Sequence, residues 1–120
     1  IINKKIFKKF SLNEGVPDGM TLDKNKNLWV AHFHGACVSV FNNKAKLIHR
    51  IRFPAKNITN CAFGGKNTNE LYVSTATKGM NKADLQKFRY SGFFFSVKTN
   101  VKGILQKKFV LNNEEKRSLL

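Results

Sequence analysis

Long apolar runs are missing from this chain of 120 residues. None approaches the roughly 18 residues that crossing a bilayer requires, and the N-terminus has no stretch resembling a signal peptide. Neither a membrane span nor a membrane partner is therefore expected. The first residue is Ile1 rather than Met, from which processing or truncation is expected. Cysteine is scarce as well: Cys37 and Cys61 are the two present, both inside predicted strands. Two buried thiols in a reducing compartment are expected rather than a disulfide, which places the chain in the cytoplasm.

Negative charge is the other deficit. Seven acidic residues stand against 22 basic ones, for a net charge of +15. Such an excess invites a nucleic-acid reading. Nucleic-acid binding needs the cations gathered on one groove and interleaved with stacking aromatics. Here Lys4, Lys5, Lys8 and Lys9 lie on one segment, Lys24 and Lys26 in a turn, and Lys44 and Lys46 in another. Most aromatics sit within apolar strand runs, so a solvated basic surface is expected and no nucleic-acid partner. Paired carboxylates for acid–base chemistry are also lacking. The chain has no Ser/His/Asp arrangement and no glycine-rich phosphate loop, and Gly64-Gly65 reads as a turn at a strand end.

What the chain does have is an internal repeat. Leu28-Trp29-Val30-Ala31 and Leu71-Tyr72-Val73-Ser74 are 43 residues apart, whereas Ala36-Cys37-Val38-Ser39-Val40 and Phe93-Phe94-Phe95-Ser96-Val97 are 57 apart. The same strand order recurs, with an insertion between the second and third strands of the later copy. A period of about 40–50 residues with four strands per unit is a propeller signature. In the first unit strands are expected at 19–23, 28–33, 37–41 and 46–53. Residues 2–10 read as the outer strand of a preceding blade, and 60–97 with 104–110 as a second unit. Two blades and a quarter cannot close a ring of about four to eight, and the open sheet faces would favour association.

One carboxylate stands out. Gly15-Val16-Pro17-Asp18-Gly19-Met20 places Asp18 in a turn stiffened by proline, just ahead of a buried strand. Such a carboxylate is either an ordinary Pro-Asp-Gly turn residue or a hard-cation ligand. Strand direction puts residues 11–18, 32–35, 54–60 and the insertion at 75–91 on one rim, with the Lys24 and Asn42 turns opposite. Asp18 then faces the channel mouth. His32, His34, Thr59 and Asn60 are rim candidates for substrate contact, while Asp23 falls at the far rim. His32 and His34 share a strand face at i, i+2 spacing, without a third ligand near in sequence. A short helix within 80–88 would form a lid or wall.

Asp18-Gly19-Met20-Thr21-Leu22-Asp23, Asn27-Leu28-Trp29-Val30-Ala31, Thr59-Asn60-Cys61-Ala62-Phe63-Gly64-Gly65, Leu71-Tyr72-Val73-Ser74 and Gly92-Phe93-Phe94-Phe95-Ser96-Val97 occur in that order. Together they resemble the C-terminal part of the gluconolactonase/regucalcin (senescence marker protein) family. The resemblance implies an all-β fold, part of a six-bladed β-propeller with four-stranded antiparallel blades. It implies residues 1–110 as the C-terminal part of that domain, 111–120 as a polar tail, and N-terminal blades of the same protein as the partner that completes the ring. It further implies one divalent metal ion (Ca, Zn, Mg or Mn) held by Asp18 together with a Glu and an Asn from outside this chain. Asp18 would be both metal ligand and catalytic residue in hydrolysis of a small sugar lactone. The alternative is a non-catalytic propeller of the same family that binds calcium or serves binding alone.

Overall fold

A computed structural model describes residues 2–105. Within them a single 3-10 turn, Leu12–Glu14, leads into β1 (Val16–Leu22), β2 (Leu28–Phe33), β3 (Cys37–Phe41) and β4 (Leu47–Arg52). These form one antiparallel sheet in chain order. A second follows with β5 (Asn57–Gly64), β6 (Glu70–Ala76) and β7 (Phe94–Lys98), and α1 (Lys82–Lys87) lies in the β6–β7 connection. Short polar side chains shape the turns of the first sheet. Asn42 Oδ1 accepts the backbone N–H of Lys44 and of Lys46, each at 3.0 Å, and Ala45 takes a positive φ. Such self-contained turns let strands meet without a loop to order.

The two sheets pack face to face, because every second residue of the central strands is apolar. Trp29 and Ala31 of β2 and Val38 and Val40 of β3 meet Ile58 and Cys61 of β5 and Leu71 and Val73 of β6. Phe53, Ala55 and the partly buried Ile51, Phe63, Phe95 and Val97 close the cluster. Burying each large apolar side chain contributes about 1.5–3 kcal/mol. The alternate residues of β2 and β3, among them Val30, His32, Ser39 and Phe41, are also buried. Phe10 lies edge-on over His32 at 5.1 Å and over Phe41 at 5.7 Å. Coverage on both faces is why β2 and β3 read as continuous apolar runs rather than alternating ones.

Three expectations change. Residues 2–10 are not a strand: with no neighbouring strand to receive its backbone bonds, the segment is held by Phe10 against the sheet instead. The first strand starts earlier than expected, at Val16, so Asp18 lies within it. Finally, the outer strand expected at 104–110 begins outside any strand. Beyond β7 the chain turns inward: Thr99 N–H donates to Asn69 O at 2.8 Å, Gly103 N–H to Thr68 O at 2.7 Å and Lys24 N–H to Lys102 O at 2.8 Å. Gly103 then bridges Asp23, so residues 99–103 lace the near ends of β6 and β1 together. The rest of that expected strand, like the tail at 111–120, lies outside the described residues.

Candidate functional site

The innermost strands, β1 and β5, lie against each other, and each carries a bulge at the corresponding point. In β1 the register shifts between Pro17 and Met20, and in β5 between Ile58 and Asn60. A bulge bends the strand and re-aims a side chain. That of β1 carries Asp18 and Gly19. Pro17 is tolerated in the ladder because β1 is an edge strand, where a missing N–H leaves no partner unsatisfied. Gly19 is needed for space: a Cβ there would come within 2.7 Å of Asn60 Cα and closer still to Asn60 Oδ1. The close approach seats the Asp18 backbone beside β5.

Asp18 is exposed. It lines an open depression of 580 Å³ with Val16, Pro17, Phe33, His34, Lys78 and Gly79. The wall of that depression is fixed by Asn57, which is fully buried. Its Oδ1 accepts the backbone N–H of His34 at 3.3 Å, and its Nδ2 donates to Lys78 O at 2.9 Å. One amide thus ties the β2–β3 loop and the β6–β7 insertion to β5. The insertion is held again further on. Lys56 pairs with Asp84, its backbone N–H donates to Ser91 Oγ at 3.0 Å, and Asn81 caps α1 through Asp84 N at 2.9 Å. The donated hydrogen bond and nearby charge of Lys56 hold the Asp84 carboxyl below its ordinary pKa. The expected helix is present, as part of a pinned wall.

Not every residue expected on the rim reaches this depression. His34 lines it beside Asp18. His32 does not: it is fully buried, with Nδ1 donating to Glu14 O at 2.7 Å. Its Nε2 is buried without a partner among the described residues. Burial pushes its pKa down, against the pull of the Glu14 carbonyl, so it is a neutral core residue there. Thr59 is half-buried and shares a hydrogen bond with Ser74 Oγ at 2.8 Å. Asn60 is exposed on β5, its Oδ1 taken by Cys61 N–H at 2.8 Å. Asn57 and Lys78 were absent from the sequence-based set. Asn57 opens β5 between Lys56 and Ile58 in a largely polar stretch, so nothing in the local sequence marks it as buried. Asn57→Ala would strand the His34 N–H and Lys78 carbonyl. It is expected to lower stability by about 2 kcal/mol, and to speed amide exchange in residues 77–81 before the core strands. Uniform exchange throughout would contradict the clamp.

Both thiols are buried and free. Burial pushes Cys61 up to about 12 and raises Cys37 as well, so neither is a nucleophile near neutral pH. Among the described residues no three His, Cys, Asp or Glu side chains gather as a metal site. The hard acceptor that lines the depression is Asp18.

Antiparallel sheets stacked face to face, each built around an innermost strand at one axis, define the class: blades of a β-propeller. The chain belongs to the SMP-30/gluconolactonase/LRE-like family, whose region matches residues 1–77. It is 40% identical over 96 residues to a Bacillus subtilis (strain 168) protein named as a sugar lactone lactonase, YvrE, covering 79% of this chain and 33% of that one. It is 38% identical over 104 residues to regucalcin of Danio rerio, covering 85% and 35%. A luciferin-regenerating enzyme superposes with a TM-score of 0.68 at 33% identity, over 78% of this chain and 31% of the other. The calcium-binding protein regucalcin of Agrobacterium tumefaciens str. C58 superposes at 0.76 with 24% identity, over 82% and 33%, a likeness of fold. The chain spans about a third of the length of the curated relatives it matches.

Proposed function

We infer that the chain contributes one wall and one cation-holding carboxylate, Asp18, to the site of a metal-dependent sugar lactonase acting in the cytoplasm. The observation that carries this reading is the placement of Asp18. It is an exposed carboxylate on a bulged innermost strand, beside an open depression whose far side is a pinned insertion. The Bacillus subtilis relative named for sugar lactone lactonase activity supports the substrate class, and the buried free thiols suit a reducing compartment.

The residues present fit a hard cation as far as they go. Asp18 offers a carboxylate without an ion-pair partner among the described residues, while such cations take six or more oxygen ligands. The remaining ligands would come from outside this chain. When bound, the cation supplies Lewis-acid polarisation of a carbonyl. Asp18 would hold it and could also accept a proton from an attacking water as general base. The apolar edge of the depression, Pro17 and Phe33, would exclude bulk water from one side of the ring, and His34 would offer a polar contact to a sugar hydroxyl. Thr59 and Asn60, on β5, would line the neighbouring arc.

In the full-length protein, hydrolysis of glucono-δ-lactone is expected to exceed the buffer rate, to fall to background with a chelator, and to return with a divalent metal. Hydrolysis indifferent to chelation would refute the metal's part. Tight metal binding with no turnover of any lactone would favour the binding-only reading instead.

A further inference from the structure

Lys78 lines the same depression as Asp18, and nothing assigned to the site so far uses it. Its backbone carbonyl is fixed by the buried Asn57 amide at 2.9 Å, so the base of the side chain is located rather than free to wander. Asn57 also fixes the backbone of His34, the other basic residue in the lining, at 3.3 Å. No acidic side chain among the described residues comes within ion-pair distance of Lys78. Asp84, the acid carried on the same insertion, is taken up by Lys56. Lys78 is exposed, and the rest of the lining is Val16, Pro17 and Phe33.

We propose that Lys78 makes this a site for lactones bearing an anionic substituent, a carboxylate or a phosphate at the end remote from the ring ester. The ring lies toward Asp18 and the anionic arm toward Lys78. The ammonium neutralises the arm, and the chain's net charge of +15 raises the local concentration of such substrates. Lys78 is a specificity residue here, contributing to recognition and not to the reacting atoms. The proposal rests on the lactonase reading.

The test compares three probes on the full-length protein: glucono-δ-lactone, its 6-phosphate, and a glucaric acid lactone that carries a carboxylate. Wild type is expected to favour at least one anionic probe by about tenfold in kcat/KM, with the gain in KM and a decline as salt rises. The better of the two tells phosphate from carboxylate. Lys78→Gln should abolish the preference and Lys78→Asp should reverse it, each read as the ratio of anionic to neutral kcat/KM. Equal treatment of all three by wild type, or a preference that survives Lys78→Asp, would overturn the proposal. If no lactone is turned over, calorimetry with gluconate and 6-phosphogluconate separates the two readings. Binding of the phosphate that is lost in Lys78→Asp upholds the anion site while the lactonase reading falls. Equal binding, or none, overturns the anion site.

Discussion

Asp18→Asn in the full-length protein is expected to lower the lactone kcat/KM by at least about a hundredfold. The amide keeps the shape of the carboxylate and removes its charge. A hard cation prefers a charged oxygen donor, so metal affinity should fall in parallel. Stability without metal should be unchanged, because Asp18 is exposed and makes no ion pair within the described residues. Calorimetric metal titration, lactone kinetics and an apo melting curve check the three parts together. A mutant that keeps its activity, or one that unfolds without metal, would mean that Asp18 serves the strand bend and not the site.

The second large effect is expected from the other aspartate at a turn, and it is of the opposite kind. The sequence places Asp23 at the far rim, where its replacement is expected to leave activity near wild type. The structure shows it almost completely buried. Oδ1 accepts the N–H groups of Asn25 at 2.8 Å and Asn27 at 2.9 Å. Oδ2 accepts from Asn27 Nδ2 at 2.9 Å and Trp29 Nε1 at 3.0 Å. All four partners are donors, so an asparagine must turn its own N–H₂ against two of them. Asp23→Asn and Asp23→Ala are each expected to destabilise the fold by roughly 3 kcal/mol, read as the denaturant midpoint, with activity per folded molecule retained. Burial alone would raise the Asp23 carboxyl, but the Trp29, Asn27 and Asn25 donors outweigh it and bring the pKa below the ordinary value. Its stabilisation is therefore complete above the unfolded pKa of about 3.9 and is lost as pH falls through the lower folded value. The mutants should lose this segment of acid sensitivity. An unaltered acid profile would remove Asp23 from that role.

The Leu-Trp-Val-Ala and Leu-Tyr-Val-Ser echoes located β2 and β6 and the strand order around them, because such apolar runs depend only on local pattern and burial. The innermost strands, by contrast, were expected from 19 and 60 and begin at Val16 and Asn57. The insertion helix was expected within 80–88 and spans Lys82–Lys87. The far-rim placement of Asp23 was legible but its burial was not, because a carboxylate at a turn looks the same in sequence whether water or an indole N–H donates to it. His32 was misjudged for a related reason. Its spacing from His34 is right for a shared strand face, but the Glu14 carbonyl that satisfies one nitrogen comes from a different part of the chain, and His34 leaves the strand at a positive φ. Asn57 and Lys78 escaped notice because their link is a side chain to a backbone carbonyl 21 residues away. No periodicity encodes such a bond.

The lacing of residues 99–103 across the ends of β6 and β1 sets an order of events during synthesis. The Asp23 turn can form as soon as Trp29 has emerged, since all its partners are local. The bonds from Lys24 N–H to Lys102 O and from Gly103 N–H to Thr68 O must wait until nearly the whole described chain has left the ribosome. Until β5 and β6 arrive, Trp29, Ala31, Val38 and Val40 present an uncovered apolar face to the cell. The nascent first sheet is thus a substrate for chaperones over a defined interval, and codons that slow translation between residues 53 and 73 would lengthen it.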